Sequence, residues 1–542
     1  MTKYVFVTGG VLSGIGKGLV TCSVGKTLQT RGFKVTVIKC DPYLNVDAGT
    51  MNPYIHGEVF VLDDGYEADM DLGTYERFLG IELSGANNIT SGKLYQSVIK
   101  KEREGGYLGQ CVQIIPHITD DVKRRIRVLA IESKVDVILI ECGGTVGDIE
   151  SLPFLEAFRQ IRQEEKRGDT LLIHVTLVPV LNAVGEPKTK PTQHSVKELR
   201  AIGLQPDIIV ARCESGLMAY PPRCKIALFC GVEERAVFTS YDVDTIYSLP
   251  LVLEEQGMGD IVSEYLGLDK PVADWNEWKK TVNLFKDPTD IVKIAMCGKY
   301  AELADCYVSV NEALRHSAAA SGCKVKIEWI ETEVFEEQPE KVKVLTGFDG
   351  VIVPGGFGKR GALGKIRAIE YCRINDKPFL GICYGLQLSL VEISRDVLGL
   401  KEADSTECEP KTPDPVIDLL PEQRKVSELG GTMRLGSHKI IVKPGTLAHK
   451  LYGSEQISER HRHRWEVNPD YWARLEKAGV IFSAGSTDGL RKEMIELPAN
   501  YFFLATQFHP EFKSRPWKPS PPYYGLVKAS YDKKRGKSHP EF

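Results

Sequence analysis

The sequence predicts an α/β protein built from two doubly wound, parallel-sheet domains. Three observations carry this. Short strand-like runs alternate with helical patterns along the whole chain, as in βαβ units. Several of the runs are continuously apolar rather than alternating, the signature of strands covered by helices on both faces. The alternation is interrupted once, by a charged, proline-containing stretch, and then resumes.

In the first half the strand candidates are "YVFVTGG", "KVTVIKCD", "VDVILIECGG", "TLLIHVTLVPV" and "DIIVARC", giving a domain over 1–265. From 266 to 290 the text changes to "GLDKPVADWNEWKKTVNLFKDPTD", a linker with a short helix. A second α/β domain, 291–530, opens with "IVKIAMCGKY" and continues with "KVKIEWIE", "FDGVIVPGGFG" and "KPFLGICYG" as strands and "GLQLSLVEISRDVLG" as a helix. The ending "KKRGKSHPEF" lacks a periodic apolar face, so 531–542 reads as a flexible tail. No internal repeat is present.

Composition narrows the class. A chain of 542 residues with a formal net charge of −4 is long enough for several cores, and its charge balance offers no footprint for nucleic acid or a membrane surface. The 13 cysteines are scattered and none forms a C-x-x-C pair, which argues against zinc or a disulfide framework and for a reducing cytoplasm. "MTKYVFVTGG" reads as a strand feeding a glycine turn, and no apolar run approaches the ~18 residues a membrane span needs.

"VTGGVLSGIGKG", residues 7–18, follows a strand and opens a helical pattern, the context in which helix N-terminal N–H groups cradle phosphate. One part is unusual. A P-loop lysine is normally followed by Ser or Thr, whose hydroxyl holds magnesium, but Lys17 is followed by Gly18. Carboxylates are the candidate replacements: Asp69 and Asp71 in "EADMDLG", and Glu141 at the end of the apolar run "VDVILIE". Position favours Glu141, because ligands of such sheets gather at the carboxyl edge, whereas Asp69 suits solvated surface. "GEPKTKPTQHS", residues 185–195, offers Lys188, Lys190, Thr192 and Gln193 on a proline-stiffened loop, either a clamp for a second polyanion or a charged surface loop. Asp148 and Glu150 in "GGTVGDIESLPFLEAF" open a helix, where capping alone suffices to explain them.

In the second half, "FLGICYGLQLSL" puts Cys383 between Gly381 and Gly385 at a strand-to-helix turn, a nucleophile elbow with sulfur in place of oxygen. The helix N-terminus favours thiolate there. Consecutive glycines in "VIVPGGFG", Gly355 and Gly356, supply N–H groups for an oxyanion hole. "FLATQFHPEF" places His509 and Glu511 as base and orienting carboxylate. Together the three side chains make an amide-hydrolysing Cys–His–Glu triad. "ERHRHRWEVN" puts His461 and His463 on one strand face, but its arginines make an anion or carboxylate contact the better reading than a metal site.

These stretches, with "DPYLNVDAGTMNP", "HGEVFVLDDG", "KTKPTQHSVKELR" and "GGTMRLG", resemble the CTP synthase family in order and over the whole chain except its tail. The resemblance implies an N-terminal P-loop-like amidoligase domain and a C-terminal class I glutaminase domain. Together these would use ATP to phosphorylate the 4-oxygen of UTP and replace it with ammonia from glutamine. Carried over by position, Gly14, Ile15, Gly16, Lys17, Gly18 and Leu19 would line the ATP phosphates, with Lys39 stabilising transferred charge. Asp71 and Glu141 would hold magnesium, and Tyr241, Asp242 and Val243 would lie near the adenine. Ser13, Asp148, Ile149, Glu150, Lys188, Thr189, Lys190, Pro191, Thr192, Gln193 and Lys225 would form the site shared by UTP and the inhibitor CTP. Gly356, Tyr384, Gly385, Leu386, Gln387, Glu407 and Arg464 would hold glutamine. The family further implies GTP activation, for which Arg434 and Arg360 are the candidates, and a homotetramer. Two positions depart from its usual pattern: Gly14 stands where serine is common and Tyr384 where leucine is common.

Two rival classes remain at this level. Another P-loop amidoligase fused to a glutaminase, such as a cobyrinate-type amidase, would show the same ATP loop and triad. A nucleotide-driven switch or filament protein of the partitioning type would show a deviant P-loop, but it carries an additional early lysine and needs no triad.

Overall fold

The computed structural model describes residues 2–180, 186–214, 216–269, 271–286, 288–299, 304–419 and 433–542. The chain forms two compact units, Met1–Ala48 with Asp71–Asn283, and Gly49–Met70 with Leu284–Phe542.

The first unit is organised by a seven-stranded sheet in the order Asn88–Thr90, Val35–Asp41, Val137–Cys142, Lys3–Gly9, Thr170–Leu177, Ile208–Arg212, Val237–Ser240. Every neighbouring pair is parallel. The central strands are buried along nearly their whole length, which is why their sequences are continuously apolar. Because the strands run the same way, the loops after Gly9, Asp41, Cys142, Leu177 and Ser240 open on one edge of the sheet. The helix Lys17–Thr30 follows the first of these loops.

The second unit carries a nine-stranded sheet that is mixed rather than parallel throughout. Lys324–Glu331, Ile291–Gly298, Gly350–Val353, Phe379–Ile382 and Phe503–Thr506 are parallel. Beyond Phe503–Thr506 the sheet continues antiparallel through Lys492–Glu496, Ile481–Ser486, Arg434–Val442 and Gln456–His463. The two-domain α/β class therefore holds. The antiparallel strands escape a sequence reading because they are half-polar, as in "QISERHRH", and lack the apolar runs that mark a covered strand.

Three boundaries differ from a linear division of the chain. Residues 49–70, inside the expected first domain, belong to the second unit, where Arg460 Nε donates to Asp63 and Arg462 Nε to Glu67 at 2.7 Å. The helix Asn276–Asn283, inside the expected linker, belongs to the first unit: Trp278 is buried and its Nε1 donates to the Tyr247 carbonyl at 3.0 Å. The expected tail is not frayed. Helix Pro521–Lys534 runs into it, Asp532 is buried and accepts from Lys528 at 2.8 Å and from the Glu541 N–H at 3.0 Å, and the Phe542 ring packs near Phe502. Ion pairs and one terminal aromatic do here what an apolar face does elsewhere.

Candidate active sites

In the first unit the loop from Gly9 to Lys17 turns with positive φ at Val11, Gly14 and Gly16, and Gly16 caps the helix in the left-handed region. That conformation requires glycine at 16 and turns the helix N-terminus toward the loop. Lys17 is buried and donates to the Gly144 carbonyl at 2.9 Å.

The residue after Lys17 resolves the oddity of the motif. A Cβ at Gly18 would lie 3.1 Å from Asp71 Oδ1 and 3.6 Å from Glu141 Oε2. The two carboxylates converge on the place a P-loop hydroxyl would occupy, and glycine leaves it open. Lys39 bridges them, donating to Asp71 and, at 3.0 Å, to Glu141 Oε1, while Tyr75 and Thr21 hydroxyls donate to Glu141 Oε2. Burial opposes the Lys39 charge, but Asp71 and Glu141 outweigh it and hold the ammonium well above its ordinary range. Burial likewise works against the Asp71 anion, and Lys39 outweighs it, so its carboxyl sits below the usual range. Asp69 belongs to the hairpin Val59–Val61 with Glu67–Asp69 of the second unit.

Two adjacent carboxylates suit Mg²⁺, which takes one or two protein carboxylates and completes its shell with phosphate oxygens and water. Among the described residues no cluster of three or more His, Cys, Asp or Glu side chains is arranged to hold a metal by itself.

The remaining nucleotide candidates lie on the same carboxyl edge. Asp148, Ile149 and Glu150 are exposed in the loop after Cys142, with the Thr145 N–H donating to Asp148 at 2.7 Å. Tyr241, Asp242 and Val243 follow the last strand, Asp242 accepting from Arg212. Lys225 is exposed on helix Tyr220–Cys230, and Ser13 is exposed in the glycine loop. The 185–195 stretch is not a loop throughout: Gly185 lies outside the described residues, and Lys190–Gln193 form the first turn of helix Lys190–Ala201, with Pro191 where proline suits a helix start. Thr189 and Thr192 are buried, Thr192 bonding Thr176 Oγ1 at 2.7 Å, so they shape the turn. Lys188 and Lys190 are the accessible cations there, Lys190 lying 5.9 Å from the Phe229 ring.

A buried polar chain underlies this edge. His174 Nδ1 is 2.9 Å from Thr8 Oγ1 and its Nε2 is 2.7 Å from Ser195 Oγ, joining the strand before the glycine loop to helix Lys190–Ala201. Burial, assisted by Lys17, pushes this imidazole down to about 3. Nothing in the sequence singled it out.

In the second unit Cys383 stands between strand Phe379–Ile382 and helix Tyr384–Asp396 with φ +51°, the strained turn of a nucleophile elbow. Its flanking glycines are sterically required: a Cβ at Gly385 would meet the Val353 carbonyl oxygen at 2.3 Å, and one at Gly381 would meet Gly385 at 2.9 Å. His509 Nδ1 is 2.7 Å from Glu511 Oε1, and Tyr523 donates to Glu511 Oε2 at 3.2 Å. Burial disfavours the imidazolium, but Glu511 and the Cys383 thiol beside it outweigh burial and lift His509 to about 10. Gln507 Nε2 lies 3.6 Å from the Cys383 sulfur. A Cβ at Gly355 would lie 2.8 Å from His509 Cε1, so the ring packs against a bare backbone.

Cys383, His509, Glu511, Gly355 and Gly356 line one cavity of about 120 Å³. The other glutamine candidates do not line it. Leu386 is packed into the core, Gln387 donates to the Trp465 carbonyl at 2.9 Å, and Glu407 Oε1 accepts from the Gly358 N–H at 2.8 Å. Tyr384 bonds the Gly358 carbonyl at 3.0 Å and Cys408 at 2.9 Å, Gly385 packs under Val353, and Arg464 is half-buried.

"ERHRHRWEVN" separates by strand face. Arg460 and Arg462 reach Asp63 and Glu67, whereas His461 and His463 meet carboxylates, His461 Nε2 to Glu493 at 2.9 Å and His463 Nε2 to Glu466 at 2.8 Å. Arg434 enters the same cluster, 2.8 Å from Glu493 and 3.2 Å from Glu466, so its guanidinium is turned inward. In "GGTMRLG" the first three residues lie outside the described ones. Arg360 is exposed, 3.2 Å from Glu333.

A glycine loop at the sheet edge of one unit and a cysteine elbow with a His–Glu pair in the other fit one class: an ATP-dependent ligase fused to a glutamine amidotransferase. The comparisons agree. Residues 3–268 match the family model for the CTP synthase N-terminus, and residues 302–529 match that for class-I glutamine amidotransferase. A CTP synthase of Pyrococcus abyssi is 57% identical over 538 residues, covering 99% of both chains. Those of Thermococcus kodakarensis, 57% identical over 99% of this chain and 100% of its own, and Archaeoglobus fulgidus, 54% over 98% and 99%, are similarly close. The chain belongs to the CTP synthase family, whose members are glutamine-hydrolysing, ATP-dependent ligases.

Proposed function

We propose that the chain aminates UTP to CTP in two half-reactions, and that the convergence of Asp71 and Glu141 on Gly18 is the observation that carries the synthetic half. Glycine-loop N–H groups and Lys17 would hold ATP phosphates, with Lys39 beside the transferred charge. Mg²⁺, held by Asp71 and Glu141, would neutralise phosphate charge. The uracil 4-oxygen would take the γ-phosphoryl group; ammonia would then attack C4 and phosphate would leave. Lys188, Lys190 and Lys225 would receive the UTP or CTP triphosphate, and Tyr241–Val243 the adenine side of ATP.

In the other half, the Cys383 sulfur, its proton already held by the imidazolium of His509, would attack the glutamine carboxamide carbon. His509 would give that proton to the departing ammonia, and water would then hydrolyse the thioester. Glu511 fixes the ring, and the Gly355–Gly356 N–H groups would receive the developing oxyanion. CTP inhibition, GTP activation and a homotetramer rest on family likeness. A cytoplasmic setting is supported by thirteen unpaired cysteines, and among the described residues no helix is long and apolar enough to cross a membrane. The test is CTP formation from glutamine, ATP and UTP, against mixtures omitting each; CTP formed without ATP, or none from the full mixture, would overturn the reading.

A further inference from the structure

Lys365 is 1% exposed, lies on helix Ala362–Ile374 and lines the cavity that holds Cys383. A Cβ at Gly356 would lie 3.1 Å from its Nζ, and the Tyr384 ring centroid is 5.1 Å away. The ammonium thus sits against Gly356 in the cavity that Cys383, His509 and Glu511 line, and among the described residues no hydrogen bond or ion pair neutralises it. The surrounding loop is held on other sides: Lys299 donates to the Phe357 carbonyl at 2.9 Å, Glu407 accepts from Gly358, and Tyr384 bonds Gly358.

We propose that Lys365 is a positioning residue of the glutaminase half, placing a positive charge under the Gly355–Gly356 N–H groups where negative charge develops on the glutamine carbonyl oxygen. The proposal rests on the triad reading above. A charge fixed in a buried, shaped site acts on the transition state without reorganisation, which is what such a site contributes to acyl transfer. Burial, assisted by Lys299, pushes Lys365 down to about 7. The titratable groups facing it are Lys299 and Cys297 at the end of one strand, Cys383 and Tyr384 at the elbow, and Glu407 beside the loop. Below that value the ammonium is present; as pH rises through it, the charge and its contribution are lost.

The experiment is the pH profile, from 6 to 9, of kcat/KM for glutamine hydrolysis in the full-length chain, with Lys365→Met, Lys365→Arg and Cys383→Ala. The parent is expected to decline on the alkaline side near neutrality. Lys365→Met should be about tenfold slower at pH 6 with no such decline, and Lys365→Arg, charged throughout, should also lose the decline. A Met profile with the parent's shape, merely scaled down, would mean a structural role and overturn the proposal. If Lys365→Met does not fold, the Arg variant decides: retention of the parent's alkaline limb would overturn it. Persistent hydrolysis by Cys383→Ala would overturn the triad reading, and the proposal with it; an inactive Cys383→Ala beside an unchanged Met profile would overturn the proposal alone.

Discussion

Gly18 and Asp71 stand so close that a single added Cβ would come within 3.1 Å of the carboxylate oxygen. The missing P-loop hydroxyl and the acidic pair are therefore one arrangement. Gly18→Ser, which restores the ordinary motif, should crowd both carboxylates and lower ATP-dependent CTP formation about tenfold, ~1.4 kcal/mol, with glutamine hydrolysis retained. Asp71→Ala in the same assay should abolish synthesis. Steady-state rates at limiting magnesium check both; parental activity in either variant would refute the assignment.

Lys190 is exposed at the start of its helix, 5.9 Å from the Phe229 ring, a cation available to a polyanion. Lys190→Ala should weaken UTP and CTP about ten- to a hundredfold, the usual effect of losing one charge-assisted contact. Titration calorimetry with each nucleotide gives the answer; unchanged affinity for both would return this stretch to a surface role.

Gly355 leaves room for the His509 imidazole. In Gly355→Ala the new methyl would lie 2.8 Å from His509 Cε1 and displace the ring. Glutamine hydrolysis should fall about a hundredfold, as misplacement by an ångström commonly costs. Ammonia-driven synthesis should be unaffected. A variant hydrolysing glutamine at the parental rate would show that the ring is not held where it acts.

Both candidate sites are legible where chemistry imposes a local pattern. Cys383, its glycines and the His509–Glu511 pair are close in sequence to the strands that present them, and the glycine loop announces a turn. What was not legible depends on distant packing. Nothing in "HGEVFVLDDG" says that Asp63 and Glu67 pair with Arg460 and Arg462, and those ion pairs draw residues 49–70 into the second unit. Lys365 and His174 look like ordinary helix and strand residues; only the fold buries one beside a thiol and the other between two hydroxyls.

His174 sets an acid limit on stability. Its folded-state value, about 3, is depressed below the ordinary value of 6.5, so the unfolded chain binds more protons between those limits and stability falls as pH drops below about 6.5. At pH 5 this amounts to about 2 kcal/mol. His174→Gln, which cannot titrate, should show a smaller drop in Tm between pH 7 and 5 than the parent. Equal drops would mean that the imidazole is not buried neutral.

The central claim is that two separable chemistries share the chain, ammonia release at Cys383 and nucleotide-driven amination at Lys17, Asp71 and Glu141. Cys383→Ala removes one sulfur from a cavity of the second unit and leaves the glycine loop untouched. The most direct measurement is the rate of CTP formation by Cys383→Ala, with glutamine and then with an ammonium salt at a pH that frees part of the ammonia. Synthesis from glutamine should fall to background and synthesis from ammonia should approach the parental ammonia-driven rate; loss of both, or survival of the glutamine-driven rate, would contradict the account.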